Sequence, residues 1–294
     1  MTVRRPTILL LLAAFVLTAC ADEPSTSGGG STPTSGPSID PEGVVLRLAH
    51  EGGFVPAGFP LLDVPAFTLY GDGTVITPGA QIAIYPAPAL PAISERHVDE
   101  ASIPAIVERA RGAGLAGGDL DLSDTGDVAI ADASTAVFTL TVDGRTTTAE
   151  VYALGFDGDD AAMPGLSERE VALRRDLASL AADLSDLSWV TEAGGSLGEE
   201  VPYAGHAARI LIGPVIDDPE LPQEVLAWPV EQPFRSLGEP TSWDPRTRCA
   251  VLDGDDWAAV RAQAERANQL SPWSDGRVER SIAFRPLLPG ESGC

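Results

Sequence analysis

The chain contains no lysine: all 19 of its basic residues are arginine. That absence removes the Walker phosphate loop, the pyridoxal Schiff base, the Ser-x-x-Lys acyl enzyme and the kinase lysine at one stroke. Cysteine and histidine are also scarce, three of each, so a structural zinc site with four ligands is poorly supplied. Positive charge is in deficit, 19 basic residues against 43 acids for a net charge of −24, and nucleic acid binding lacks its basic footprint. No apolar run reaches the roughly 20 residues that a membrane-spanning helix needs.

What is present at the start is informative. Arg4 and Arg5 precede the apolar run from Ile8 to Leu17, which has the form of a secretory signal. Leu17-Thr18-Ala19-Cys20 follows at once and resembles the lipobox of bacterial lipoproteins. The resemblance implies cleavage before Cys20, acylation of that cysteine with chains such as palmitate, and attachment to the outer face of the cell membrane. Two or more acyl chains would make that attachment lasting. Arg4-Arg5 fits both the general and the twin-arginine export route, and both stay open. The lack of lysine, a single asparagine at Asn268 and abundant Ala, Gly, Asp and Pro fit the coding bias of a GC-rich, actinobacterial genome. Without Arg4 and Arg5 the mature chain carries 17 basic residues against 43 acids, or −26.

The expected organisation is a signal peptide over 1–19, a lipid-anchored flexible linker over 20–40 and a folded region over 41–294. The linker is nearly all Ser, Thr, Gly and Pro, cannot bury a core and has an r.m.s. reach of about 25 Å. The folded region is either one domain or two lobes, 41–195 and 200–294. Outside the lipobox only Cys249 and Cys294 remain, and export to an oxidising space predicts a disulfide between them; a free C-terminal thiol is the alternative.

Periodicity predicts an α+β fold of antiparallel hairpins with packed helices. Strands are expected at 44–49, at 66–70 with 74–76, and at 136–142 with 146–154 across an Asp143-Gly144 turn. Helical spacing marks 99–113, with Pro104 in its first turn, and a leucine stripe at Leu173, Leu177, Leu180, Leu184 and Leu187 behind a Ser167/Glu170 capping box. Further strands are expected at 208–212, near 225–230, at 248–252 and at 277–285, with a helix from Asp255 to near Leu270.

Several motifs match chemistry by letter and fail by context. Gly112-Ala113-Gly114-Leu115-Ala116-Gly117 matches a dinucleotide fingerprint but closes a helix instead of opening one. Gly194-Gly195-Ser196-Leu197-Gly198 matches a nucleophile elbow, yet no strand precedes it and no Asp stands between it and His206. Asp119, Asp121 and Asp124 begin like a calcium loop, without the glycine or final glutamate of an EF-hand. Asp157-Gly158-Asp159-Asp160 and Asp253-Gly254-Asp255-Asp256 read as turns, with Asp255 capping the next helix. Trp243 and Trp273 are candidates for an exposed carbohydrate platform.

The sequence therefore predicts a lipid-anchored envelope protein, more binding or structural than enzymatic, with no catalytic, cofactor or metal residue assigned. Its partners would be the membrane, through Cys20, and an envelope protein or glycan. A carboxylate-based hydrolase of wall glycan and a calcium-dependent binding module are the alternatives.

Overall fold

The computed structural model describes residues 38–156 and 163–294. Cys20, with the signal and most of the linker, and Asp157-Gly158-Asp159-Asp160 lie outside the described residues.

In chain order the first elements are β1 (Val44–Gly52), α1 (Phe59–Leu62), β2 (Phe67–Tyr70), β3 (Thr74–Pro78), β4 (Ile93–His97) and α2 (Ser102–Ala110). Then come β5 (Leu120–Leu122), β6 (Ser134–Val142), β7 (Arg145–Tyr152), α3 (Glu168–Ser185), α4 (Ser188–Glu192) and β8 (Val201–Pro202). Their strands form an eight-stranded sheet in the order β5-β7-β6-β1-β2-β3-β4-β8, antiparallel except for the parallel β5 and β7. Helices α2, α3 and α4 cover one face, where Ile106, Leu177, Leu180, Leu184 and Val190 meet Leu46, Leu69, Phe138 and Val151. The leucine stripe is core, as its period predicts, and the Ser167/Glu170 box caps α3. Ile39 already packs against this core, two residues before the expected boundary at 41.

The second sheet is built from β9 (Ala207–Gly213), β10 (Leu226–Ala227), β11 (Glu239–Pro240), β12 (Arg248–Asp253), β13 (Pro272–Ser274) and β14 (Glu279–Pro286). Its order is β10-β13-β14-β9-β12-β11, with only β10 and β13 parallel. Helix α5 (Gly254–Ala264) lays Trp257, Val260 and Ala264 on Ile210, Leu252 and Phe284. A chain of rings runs through this core: Phe234, Trp228, Trp273, Phe284 and Trp257, with successive centroids 5.0, 5.9, 5.6 and 6.4 Å apart.

The fold is thus α+β with mostly antiparallel pairing. Three expectations need correction. Helix α5 stops at Ala264 and not near Leu270, and its N-cap is Asp253, with Asp255 and Asp256 in the first turn. The strand expected over 225–230 is only Leu226–Ala227. Trp273 is fully buried in the aromatic chain, so it belongs to no exposed platform; Trp243 is 41% exposed. Among the described residues no helix is long and apolar enough to cross a membrane.

Candidate functional site

The first sheet has two unlike ends. The chain joins it at Ser38, whose N–H donates to Asp143 Oδ1 at 2.7 Å, while the Asp143 N–H donates back to the Ser38 carbonyl at 2.9 Å. Asp143 and Gly144, with φ of 57° and 67°, make the two-residue turn between β6 and β7. β1 runs away from this end, pairing Leu46 with Leu140 and finally Gly52 with Ser134. From Val44 to His50 the strand covers about 20 Å at roughly 3.3 Å per residue.

At the far end a cleft of about 260 Å³ opens between β1 and the segment from Val55 to Pro65. β1 contributes Arg47, His50 and Glu51, and the residue that ends α1 contributes Asp63. Val55, Phe59, Pro60 and Pro65 give the cleft apolar lining, with Phe59 43% exposed; Phe54, next in the chain to Val55, is 90% exposed.

Arg47 and Asp63 are part-buried in the cleft, whereas His50 and Glu51 are exposed at its mouth. Burial raises the Asp63 carboxyl above its ordinary 3.8, against the opposing pull of the Val64 N–H, His50, Arg285 and Arg47. Among the described residues Arg47 Nε, in the cleft, and Thr68 Oγ1, on the residue opposite it on β2, are buried without hydrogen-bond partners.

The second sheet supports the cleft from beneath. Arg285 Nε donates to the Asp63 carbonyl at 3.0 Å, and Arg209 Nη1 donates to the Leu61 carbonyl at 2.8 Å. Both arginines also grip the C-terminal tail. Arg285 pairs with both carboxylate oxygens of Glu291, and Arg209 Nε donates to the Gly293 carbonyl at 2.7 Å. Burial opposes ionisation of Glu291, but Arg285 and the Leu288 N–H outweigh it and hold its pKa below 4.5. Tyr70 and Tyr203 donate to the Pro289 and Leu287 carbonyls at 3.0 and 2.8 Å. Burial pushes the Tyr203 phenol up to about 12, so it stays a donor at neutral pH. The tail ends in the Cys249–Cys294 disulfide, with Cα atoms 5.9 Å apart, as predicted from the pair of cysteines.

One cation, two acids and an imidazole thus share a small cleft with an aromatic rim. Ligand pockets usually span about 300–1,000 Å³. A volume just below that range suits one charged side chain, a small headgroup or a single sugar unit.

The motif residues lie elsewhere. Gly114, with φ of 119°, sits in a wide turn closing α2, so the Gly-rich run ends a helix as expected. Ser196 lies in a loop whose carbonyl accepts from the Asp99 N–H at 3.3 Å. Asp119 and Asp121 flank and form the edge strand β5, where Asp119 Oδ1 accepts from the Thr148 N–H at 2.9 Å and Asp121 Oδ1 from the Ser123 N–H at 3.0 Å. Among the described residues no group of three His, Cys, Asp or Glu side chains is placed to hold a metal ion. Sequence reasoning missed the cleft because His50 and Asp63 are separated by an irregular loop; the run Gly52-Gly53-Phe54-Val55-Pro56, apolar yet without a period, was the available signal. No protein-family model, curated protein or solved structure matches the chain.

Proposed function

We propose that the chain is a lipid-anchored cell-envelope protein with a binding role, tethered through Cys20 outside the cell membrane and presenting the cleft beside His50 and Asp63 to an envelope protein or glycan. The observation that carries this reading is polarity: the segment after Cys20 meets the sheet beside Asp143, whereas the cleft and its rim stand at the other end of β1. A tether at one end leaves the opposite end free to face a partner. Exposed Phe59 in the cleft, with exposed Phe54 next to its lining residue Val55 and part-buried Asp63 and Arg47 within, suits a partner segment that sets a charged side chain beside an apolar one.

Two measurements test it. Mass spectrometry should find acyl chains on Cys20, and Cys20→Ala should pass into the medium; retention of that variant on cells would overturn the anchor. A photo-crosslinker at position 54 should capture an envelope component that Asp63→Ala no longer yields. Equal capture from position 42, at the tethered end, would overturn the cleft.

The raised Asp63 carboxyl beside Glu51 favours a second reading, a carboxylate-based wall hydrolase. Release of fragments from isolated wall, lost in Asp63→Asn, would support it. The division into lobes 41–195 and 200–294 is also kept as a reading, against which stand the packing of residues 36–294 as one compact unit and the pairing of β8 with the first sheet. Two calorimetric transitions would support the lobes, and one would oppose them.

A further inference from the structure

Five of the chain's 19 arginines converge on one cavity of about 590 Å³ in the second half of the fold. Arg235 comes from the turn after Pro233, Arg246 and Arg248 from the start of β12, Arg277 from the hairpin between β13 and β14, and Arg280 from β14. The sole acid among the lining residues is Asp275. Its carboxylate is committed to the backbone N–H groups of Phe234, Arg277 and Val278 at 3.0 to 3.1 Å.

The guanidinium groups are unevenly satisfied. Arg248 donates to the Leu237 and Gly238 carbonyls, and Arg246 pairs with Asp244. Arg280 bonds only the adjacent Glu279 carbonyl. Among the described residues the side chains of Arg235 and Arg277 make no hydrogen bond or ion pair. With Asp275 and Asp244 set against the five arginines, the cavity keeps a formal charge of 5 − 2 = +3 in a chain of net charge −24. Gathering like charges from separate segments opposes folding, and 43 acids were available to neutralise them. Ile212 and Phe234, both buried, and Val278, 40% exposed, give the lining apolar surface.

We infer that this cavity binds a phosphate ester carried on an apolar organic group. The planar fork of guanidinium matches the oxygens of a phosphate in pairs, and a dianion answers the local charge. The apolar lining takes the organic part. Trp228 packs on Phe234 at the wall, so its fluorescence reports occupancy.

The full chain is titrated with phenyl phosphate and with inorganic phosphate at low salt. Phenyl phosphate should bind at least about tenfold more tightly, and Arg235→Gln with Arg277→Gln should weaken it about tenfold or more. Neither guanidinium supports the fold, so the circular dichroism of that variant should be unchanged. Arg169→Gln, exposed on α3, should bind as the parent does. Absence of saturable binding, equal affinity for both phosphates, or equal loss in Arg169→Gln would overturn the inference. Sedimentation with phosphatidylglycerol vesicles but not phosphatidylcholine vesicles assigns the ester to a lipid headgroup. Binding of phenyl phosphate without sedimentation assigns it to a soluble or polymer-borne phosphate. Either result sustains the shared chemistry, and neither depends on the cleft beside His50.

Discussion

Arg285 and Glu291 form a buried two-pronged ion pair, with Arg285 only 2% exposed and Glu291 also accepting the Leu288 N–H at 2.9 Å. The pair closes the turn that carries the tail back toward the sheets, and Arg285 simultaneously holds the Asp63 carbonyl. One residue therefore couples the tail to the cleft.

Removing one partner leaves an uncompensated charge. Glu291→Gln should lower stability by about 3 kcal/mol, near the low end for a buried pair because Glu291 keeps some solvent contact. Urea denaturation measures this, and an effect below about 0.5 kcal/mol would show the pair to be incidental.

The same carboxyl sets an acid limit. The pKa of Glu291 is held below 4.5 in the folded chain, so its stabilisation is complete above that value and fades as pH falls through the folded pKa. Asp63 has the opposite sign. Its folded pKa is raised, so it favours unfolding once ionised, and that penalty is relieved as pH falls through its folded pKa. Denaturation from pH 7 to pH 3 should therefore lose part of its acid sensitivity in Glu291→Gln and gain sensitivity in Asp63→Asn.

The disulfide closes a loop with a sequence separation of 45. The chain-entropy model assigns such a loop about 4 kcal/mol. Cys249→Ser with Cys294→Ser should lower the melting temperature by several degrees and loosen the tail at Glu291, read by hydrogen exchange. Non-reducing peptide mapping of the parent should link the two cysteines.

Trp273 and Trp243 should respond very differently to truncation. Trp273→Ala empties the middle of a ring chain and should cost about 3–5 kcal/mol. Trp243→Ala, at 41% exposure, should cost about 1 kcal/mol or less. Similar losses would contradict the aromatic core.

Thr68 hides an unpartnered hydroxyl at 2% exposure. Thr68→Val keeps the shape and removes the unsatisfied group, so stability should hold or rise by about 1 kcal/mol. A fall of that size would mean that the hydroxyl has a partner in solution.

Much of the fold was legible because its signals were local. The Asp143-Gly144 turn, the Ser167/Glu170 box and the leucine period each fix an element without help from the rest of the chain. The short strands β4, β5, β8, β11 and β13 were not, since pairing over only two to five residues, at sheet edges or beside short edge strands, comes from tertiary contacts and leaves no period. Trp273 was misplaced for a related reason: a tryptophan beside Pro272 and Ser274 reads as loop, and only the ring chain explains its burial. The cleft escaped notice because Arg47, His50 and Asp63 meet only after Arg285 and Arg209, more than 140 residues away, secure α1. In the same way five arginines from separate segments give no linear motif.

The clasp between Ser38 and Asp143 also fixes how the molecule would bear load. The chain passes from it into β1, which lies between β2 and β6 and is hydrogen-bonded on both sides. Tension applied at Ser38 along the strand axis would therefore strain both ladders together, sliding β1 lengthwise against two neighbours. Interstrand bonds that run perpendicular to such a force yield as a group and not one after another. On the proposed anchoring, the sheet would resist tension best when it is applied at Ser38 along the axis of β1.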